Sequence, residues 1–203
     1  MAELSRMLNR LSGETTVHHA DADADLDRYI FGERTHALDY RAYLASVFTF
    51  VLPLEASLSM VSELDGLIDL EARRKAIHLL RDLRALGMSS NDVDLLPLCA
   101  VPRLVDPATA LGWLYVAERP MLASAVIRRH LSTRLHVQIA RASAYLSCYA
   151  GAVGMRWREL GAVMDRVAVD DAAAERVIAG AHEAFRCQQR WRLAQTAPPR
   201  LAV

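Results

Sequence analysis

Apolar residues recur at three- and four-residue spacing along almost the whole chain, the signature of helices that bury one face. Leu4, Leu8, Leu11, Thr15, Ala22, Leu26 and Tyr29 form a first stripe, which predicts a helix ending near Phe31–Gly32. A second pattern covers residues 39–64, with Pro53 expected to kink it. The run EARRKAIHLLRDLRALG predicts a third helix that stops at Gly87, where glycine suits the left-handed conformation that closes helices. From Met88 to Val105, Ser89-Ser90-Asn91-Asp92 and prolines 97 and 102 predict irregular backbone with one short helix. Asp106-Pro107 joins an N-cap side chain to a residue preset for the first helical turn. It opens a helix through roughly His130 that Pro120 interrupts. RLHVQIARASAYLSCYA predicts a helix ending near Gly151–Gly154, MRWRELGAVMDRV another, and Asp170-Asp171 starts a last one to about Ala194. No strand alternation, internal repeat or linker is present. The pattern predicts one all-α domain over residues 1–194 and a frayed tail over 195–203.

Composition agrees with that pattern and narrows the function classes. Of 203 residues, 53% are hydrophobic but only 6% aromatic, and nine are glycine. Ala and Leu dominate, both strong helix formers. Lys+Arg and Asp+Glu balance at 24 each, so no net field favours nucleic acid or an anionic membrane. No apolar run approaches the roughly 20 residues that span a bilayer. MAELSRMLNRL lacks the continuous apolar region of a signal peptide. Cys99, Cys148 and Cys187 are widely spaced and form no CxxC, which predicts reduced thiols and argues against a disulfide framework or zinc site. The expectation is a soluble, cytoplasmic protein.

Residues 15–27, TTVHHADADADLD, hold two adjacent histidines and an aspartate at every second position. Asp21, Asp23 and Asp25 match the first three ligand positions of a calcium loop, but Leu26 stands where the loop needs glycine and Gly32 where it needs glutamate. On a helix these carboxylates spread over different faces and read as solvated surface. The ExxH at Glu33–His36 has no second copy, so it does not complete a di-iron carboxylate site. His18 and His19 both lie close to the apolar stripe, which alone does not choose between them.

LSGETTVHHADAD, residues 11–23, resembles the proximal-helix pattern of the heme oxygenases, Leu-x-x-x-Thr-x-x-x-His with an acidic residue four positions later. Leu11, Thr15, His19 and Asp23 fit it. YRAYLASVFTFVLPLEASL, residues 40–58, is similar to the following helix of that family. PRLVDPATALGWLYVAERPMLASAVIRRHL, residues 102–131, resembles the approach to its distal helix, usually Leu-Gly-x-Leu-Tyr-Val-x-Glu-Gly-Ser-x-Leu-Gly-Gly-x-Val-Ile. YAGAVGMRW and the spacing from Met164 to RVIAGAHEAF match its C-terminal helices. The colinear order of these segments carries the resemblance, particularly to the bacterial, biliverdin-producing type found beside bacteriophytochromes.

The resemblance implies a single-domain heme oxygenase-like helical bundle. It makes His19 the axial ligand of a heme iron, with Thr15 and Asp23 beside it and His18 left on the surface. Heme would be both cofactor and substrate. With O2 and electrons from a ferredoxin or flavoprotein reductant, it would be opened to biliverdin, CO and Fe2+.

The distal positions depart from the family. The three glycines that follow its glutamate are replaced by Arg119, Ala123 and Ser124, and its serine by Pro120. Ala123 adds a methyl, and Ser124 adds a hydroxyl able to bond a distal ligand. Arg119 adds a long cation that would exclude heme, reach a propionate or leave the pocket. The usual propionate-holding positions fall on Ser12, Trp157 and Gly161, none of them basic. Arg10, Arg128, Arg156 and Arg158 are the nearby candidates, because guanidinium pairs carboxylates bidentately. Arg73, Arg74, Lys75, Arg81 and Arg84 give the third helix a basic face, either solvated or docking an acidic electron donor. The alternative function is a non-catalytic module that keeps the fold and binds heme, a bilin or a protein partner.

Overall fold

A computed structural model describes residues 5–196, the side chains at positions 22, 23, 25, 195 and 196 excepted. Among the described residues the chain is all-α, without a strand. The first apolar stripe becomes two helices, α1 (Arg6–Glu14) and α2 (Thr16–Leu26), followed by a π-helical turn at Asp27–Phe31. The single helix expected there is broken at Thr15. Its hydroxyl donates to Leu11 O at 2.7 Å, and the Thr16 hydroxyl donates to Ser12 O at 2.9 Å. Hydroxyls that bond the preceding turn compete with the helical ladder and bend it. His18 and His19 therefore sit in the first turn of a separate helix.

α3 (Ala37–Leu58) holds Pro53 inside it, and a 3-10 turn at Ser62–Leu64 ends the second apolar pattern. A 3-10 turn at Glu71–Arg73 leads into α4 (Ala76–Ala85), closed by Gly87 at φ 89°. α5 (Ser90–Asp94) is the short helix of the irregular stretch. α6 (Pro107–Glu118) starts on Asp106, whose carboxylate accepts the Thr109 N–H at 3.0 Å. Pro120 ends it, because proline has no N–H for the ladder. A 3-10 segment, Arg119–Ala123, leads into α7 (Ser124–Arg134). The helix expected over 134–150 is two short pieces, α8 (His136–Arg141) and α9 (Ala144–Ser147). α10 (Val153–Val167) and α11 (Asp171–Thr196) complete the fold. Of the tail expected over 195–203, residues 195 and 196 continue α11 and 197–203 lie outside the described residues. No described helix is long and apolar enough to cross a membrane.

α6 and α11 form the centre of the bundle, and glycine lets them meet backbone to backbone. A Cβ on Gly112 would lie 2.1 Å from Val177 O, and one on Gly180 would lie 2.5 Å from Thr109 O. Gly112→Ala is therefore expected to destabilise the fold by about 3 kcal/mol, because two packed helices cannot part cheaply. Gly13→Ala, with nothing within 4 Å of the new methyl, is expected to be neutral or to stabilise α1. Urea unfolding midpoints of the two variants test the contrast. An unchanged midpoint for Gly112→Ala would contradict the close packing.

Two long-range contacts correct the expectations from sequence, and a third adds a pairing of thiols that spacing did not show. Arg73 and Lys75, expected on a basic helical face, are only 3% and 2% exposed. Lys75 Nζ donates to Glu118 Oε1 at 2.6 Å, and Arg73 Nη1 lies 3.3 Å from Glu118 Oε2. Tyr149 completes the cluster: burial and the Glu118 charge push its phenol up, so its hydroxyl donates to Glu118 Oε1 at 2.9 Å. Arg74, Arg81 and Arg84 remain exposed. His18, expected at the surface, is half-buried against α11, with Nε2 3.0 Å from His182 Nδ1 and its ring stacked on Phe185. Burial, then the charges of His182 and Arg186, hold its pKa below the usual imidazole value. Finally, the sulfurs of Cys99 and Cys187 meet at 3.1 Å, both buried as free thiols.

Candidate functional site

His19 lies four residues after Thr15 on α2, one helical turn along, so both point to the same side. Its Nε2 lies 3.0 Å from Thr15 Oγ1, and Thr15 is fully buried. Tyr115, on α6, joins the same hydroxyl. Burial raises its phenol pKa, and the hydrogen bond with Thr15 and the nearby Arg119 charge offset part of that rise. Phe185 meets the His19 ring edge-on, with centroids 5.9 Å apart. The imidazole is thus held by one buried hydroxyl and one aromatic ring from α11.

The half-buried ring opens on a cavity of about 610 Å3. Leu8 and Ser12 of α1 form one side of it, and Trp157 and Arg158 of α10 another. Arg119 and Leu122, from the 3-10 segment that Pro120 enforces, form part of the remaining wall with Tyr115. Its volume is in the range of small-molecule sites, and the walls combine apolar faces with a few charged groups, as ligand sites do.

Arg119 also lines a second, smaller chamber, together with Tyr29, Tyr43, Val116, Pro120 and Phe185. Its half-buried side chain thus stands between two apolar spaces that share no other lining residue. This is the position where the family pattern has glycine.

The remaining candidates separate by location. Arg158 lines the main cavity. Arg10 does not; it pairs with Glu14 at 2.7 Å and with Glu175 across on α11. Arg128 is exposed on α7, and Arg156 pairs with Glu159 at 3.3 Å. Ala123 is half-buried outside the cavity lining. Ser124 is buried and donates to Met121 O at 2.7 Å, so its hydroxyl is committed to the local turn. The Asp23 side chain lies outside the described residues. At Gly161 a Cβ would sit 2.5 Å from the Ser5 Cβ, so no longer side chain fits at this crossing of α10 and α1.

The residues missed from sequence are Tyr115 and the Glu118 cluster that anchors the C-terminal end of α6. One signal was present: Glu118 ends the run ALGWLYVAE, and a charge closing so apolar a run needs a buried partner.

The family model described as heme oxygenase matches residues 5–194. The NO- and CO-bound heme oxygenase from Neisseria meningitidis superposes with a TM-score of 0.69 at 21% identity, covering 97% of this chain and 98% of that one. That likeness is one of fold. No curated protein matches the chain. With the family pattern spanning nearly all of it and the all-α architecture shared, the chain belongs to the heme oxygenase family.

Proposed function

We propose that the chain binds heme in the cavity beside His19 and opens it to biliverdin, CO and Fe2+, using O2 and electrons from an external reductant. One observation carries this reading: the His19 imidazole lines a cavity of about 610 Å3 that the broken distal helix also borders. The donor set fits the group. An imidazole suits iron, Leu8, Leu122 and Trp157 suit the faces of a porphyrin, and Arg158 offers a cation for a propionate.

Bound heme iron would supply the O2 binding and redox chemistry. The protein's own residues do the rest. His19 would hold the iron, while Thr15 orients its ring. Asp23 stands, on the family pattern, one turn beyond His19. The apolar walls keep water from the reacting face. The exposed Arg74, Arg81 and Arg84 are the surface proposed to meet an acidic ferredoxin or flavoprotein.

Arg119 favours the second reading, a module that binds heme or a bilin without turning it over. It stands where the family pattern has glycine, and its side chain lines both the main cavity and the smaller chamber.

Hemin titration of the purified protein is expected to saturate at one equivalent with a sharp Soret band. Reductant and O2 are then expected to replace that band with biliverdin absorbance. Heme that survives many equivalents of electrons would rule out the oxygenase and leave the binding module. In that event Arg119→Gly is expected to restore measurable biliverdin formation.

A further inference from the structure

Cys99 and Cys187 are 88 positions apart in the chain, yet their sulfurs approach to 3.1 Å. Cys99 lies in the irregular segment between α5 and α6, tied to α3 by its N–H, which donates to Thr49 O at 2.9 Å. Cys187 is on α11, and its thiol also faces Ala100 O at 3.7 Å. Two thiols from separate segments thus share one buried spot. A disulfide needs the sulfurs at about 2.0 Å, a closure of roughly 1 Å that side-chain rotation can supply. The third cysteine, Cys148, lies elsewhere, within the fields of Lys75 and Glu118.

We infer that Cys99 and Cys187 form an oxidant-sensitive dithiol, a modification site that peroxide converts to an intramolecular disulfide. Cys187 is the slightly more exposed residue, 7% against 3% for Cys99. Its thiolate attacks one oxygen of hydrogen peroxide. The O–O bond breaks, leaving a sulfenic acid and a hydroxide that takes up the proton to become water. Cys99 then attacks the sulfenyl sulfur, the S–OH bond breaks, and the departing hydroxide takes the Cys99 proton as a second water. Two electrons pass from the thiols to the peroxide, and the S–S bond forms. Burial, with Cys187 alongside, pushes the Cys99 thiol up to about 12, so Cys99 rests as a thiol and the bridge closes slowly rather than as at a fast peroxidatic site.

The product would staple the segment before α6 to the helix that carries Phe185 and His182. The inference is independent of heme binding.

The test uses the full chain, reduced, freed of reductant and exposed to hydrogen peroxide without added hemin. After unfolding and alkylation, the thiol count is expected to fall from three to one, and dithiothreitol is expected to restore it. Peptide mapping is expected to join the Cys99 and Cys187 peptides. Cys148→Ser is expected to keep that cross-link and Cys99→Ser to abolish it. Three alkylatable thiols after treatment, a sulfinic acid without a cross-link, or a bridge that uses Cys148 would each overturn the inference.

Discussion

Glu118→Ala is expected to lower the unfolding free energy by about 3–5 kcal/mol, the cost of taking the shared carboxylate from buried charges. Arg73 and Lys75 both lean on this carboxylate, at 3.3 and 2.6 Å, and all three side chains are 2% exposed. Removing it strands Lys75 where water cannot reach it, leaves Arg73 with only Glu159 and the Arg156 carbonyl, and takes the closer acceptor from Tyr149. For a chain of this length the corresponding fall in Tm is about 10 °C. Glu118→Gln keeps an oxygen for Tyr149 but loses the charge, so it falls between. Replacing Glu118 with Leu and both Arg73 and Lys75 with Met recovers most of the loss, because well-packed apolar side chains can match a buried ion cluster. Chemical denaturation of the three variants measures this. An alanine variant that unfolds at the wild-type midpoint would show that the cluster is not held as described.

On the proposed function, His19→Ala is expected to weaken hemin binding on the order of 100-fold, about 2.8 kcal/mol, and to abolish reductive conversion to biliverdin. The loss reflects a missing iron ligand, since the cavity walls stay in place. Exogenous imidazole is therefore expected to restore a six-coordinate-like Soret spectrum, which a merely unfolded variant would not allow. His18→Ala is the matched control. That ring stacks on Phe185 and faces His182, so its removal is expected to cost stability but leave hemin affinity within a few-fold. If His18→Ala lost the Soret band and His19→Ala kept it, the axial assignment would pass to the neighbouring ring.

The helices and their punctuation were legible because they rest on local rules. Asp106-Pro107 starts α6, Pro120 breaks the distal helix and Gly87 closes α4, each through the backbone chemistry of one or two residues. The spacing of Thr15 to His19 was legible too, as one turn of helix. The helix break at Thr15 was not, because the stripe of apolar residues continues across it while two hydroxyls bend the backbone.

Candidate chemistry divided along the same line. The resemblance pointed to His19, and the structure places that ring on a cavity with Arg119 and Arg158. Of the nearby arginines expected to replace its missing basic positions, Arg10, Arg128 and Arg156 stand outside the cavity lining. Charge runs gave the weakest signal: five basic residues on one stretch look alike in sequence, and only Arg73 and Lys75 turn inward.

Read alone, the amino-acid order settles most of the stretches that coil and several of the points where they stop, since a helix is governed by bonds and steric clashes within a few residues. Which side chains meet is decided by the packing of helices distant in the chain. Lys75 finds Glu118 across 43 positions, His18 finds His182 across 164, and Cys99 finds Cys187 across 88. Each pair has one partner on α6 or α11, the two helices that Gly112 and Gly180 let cross closely. Periodicity carries no trace of them, because Coulomb attraction, thiol contact and ring stacking act only once the folded chain has brought the partners within a few ångströms.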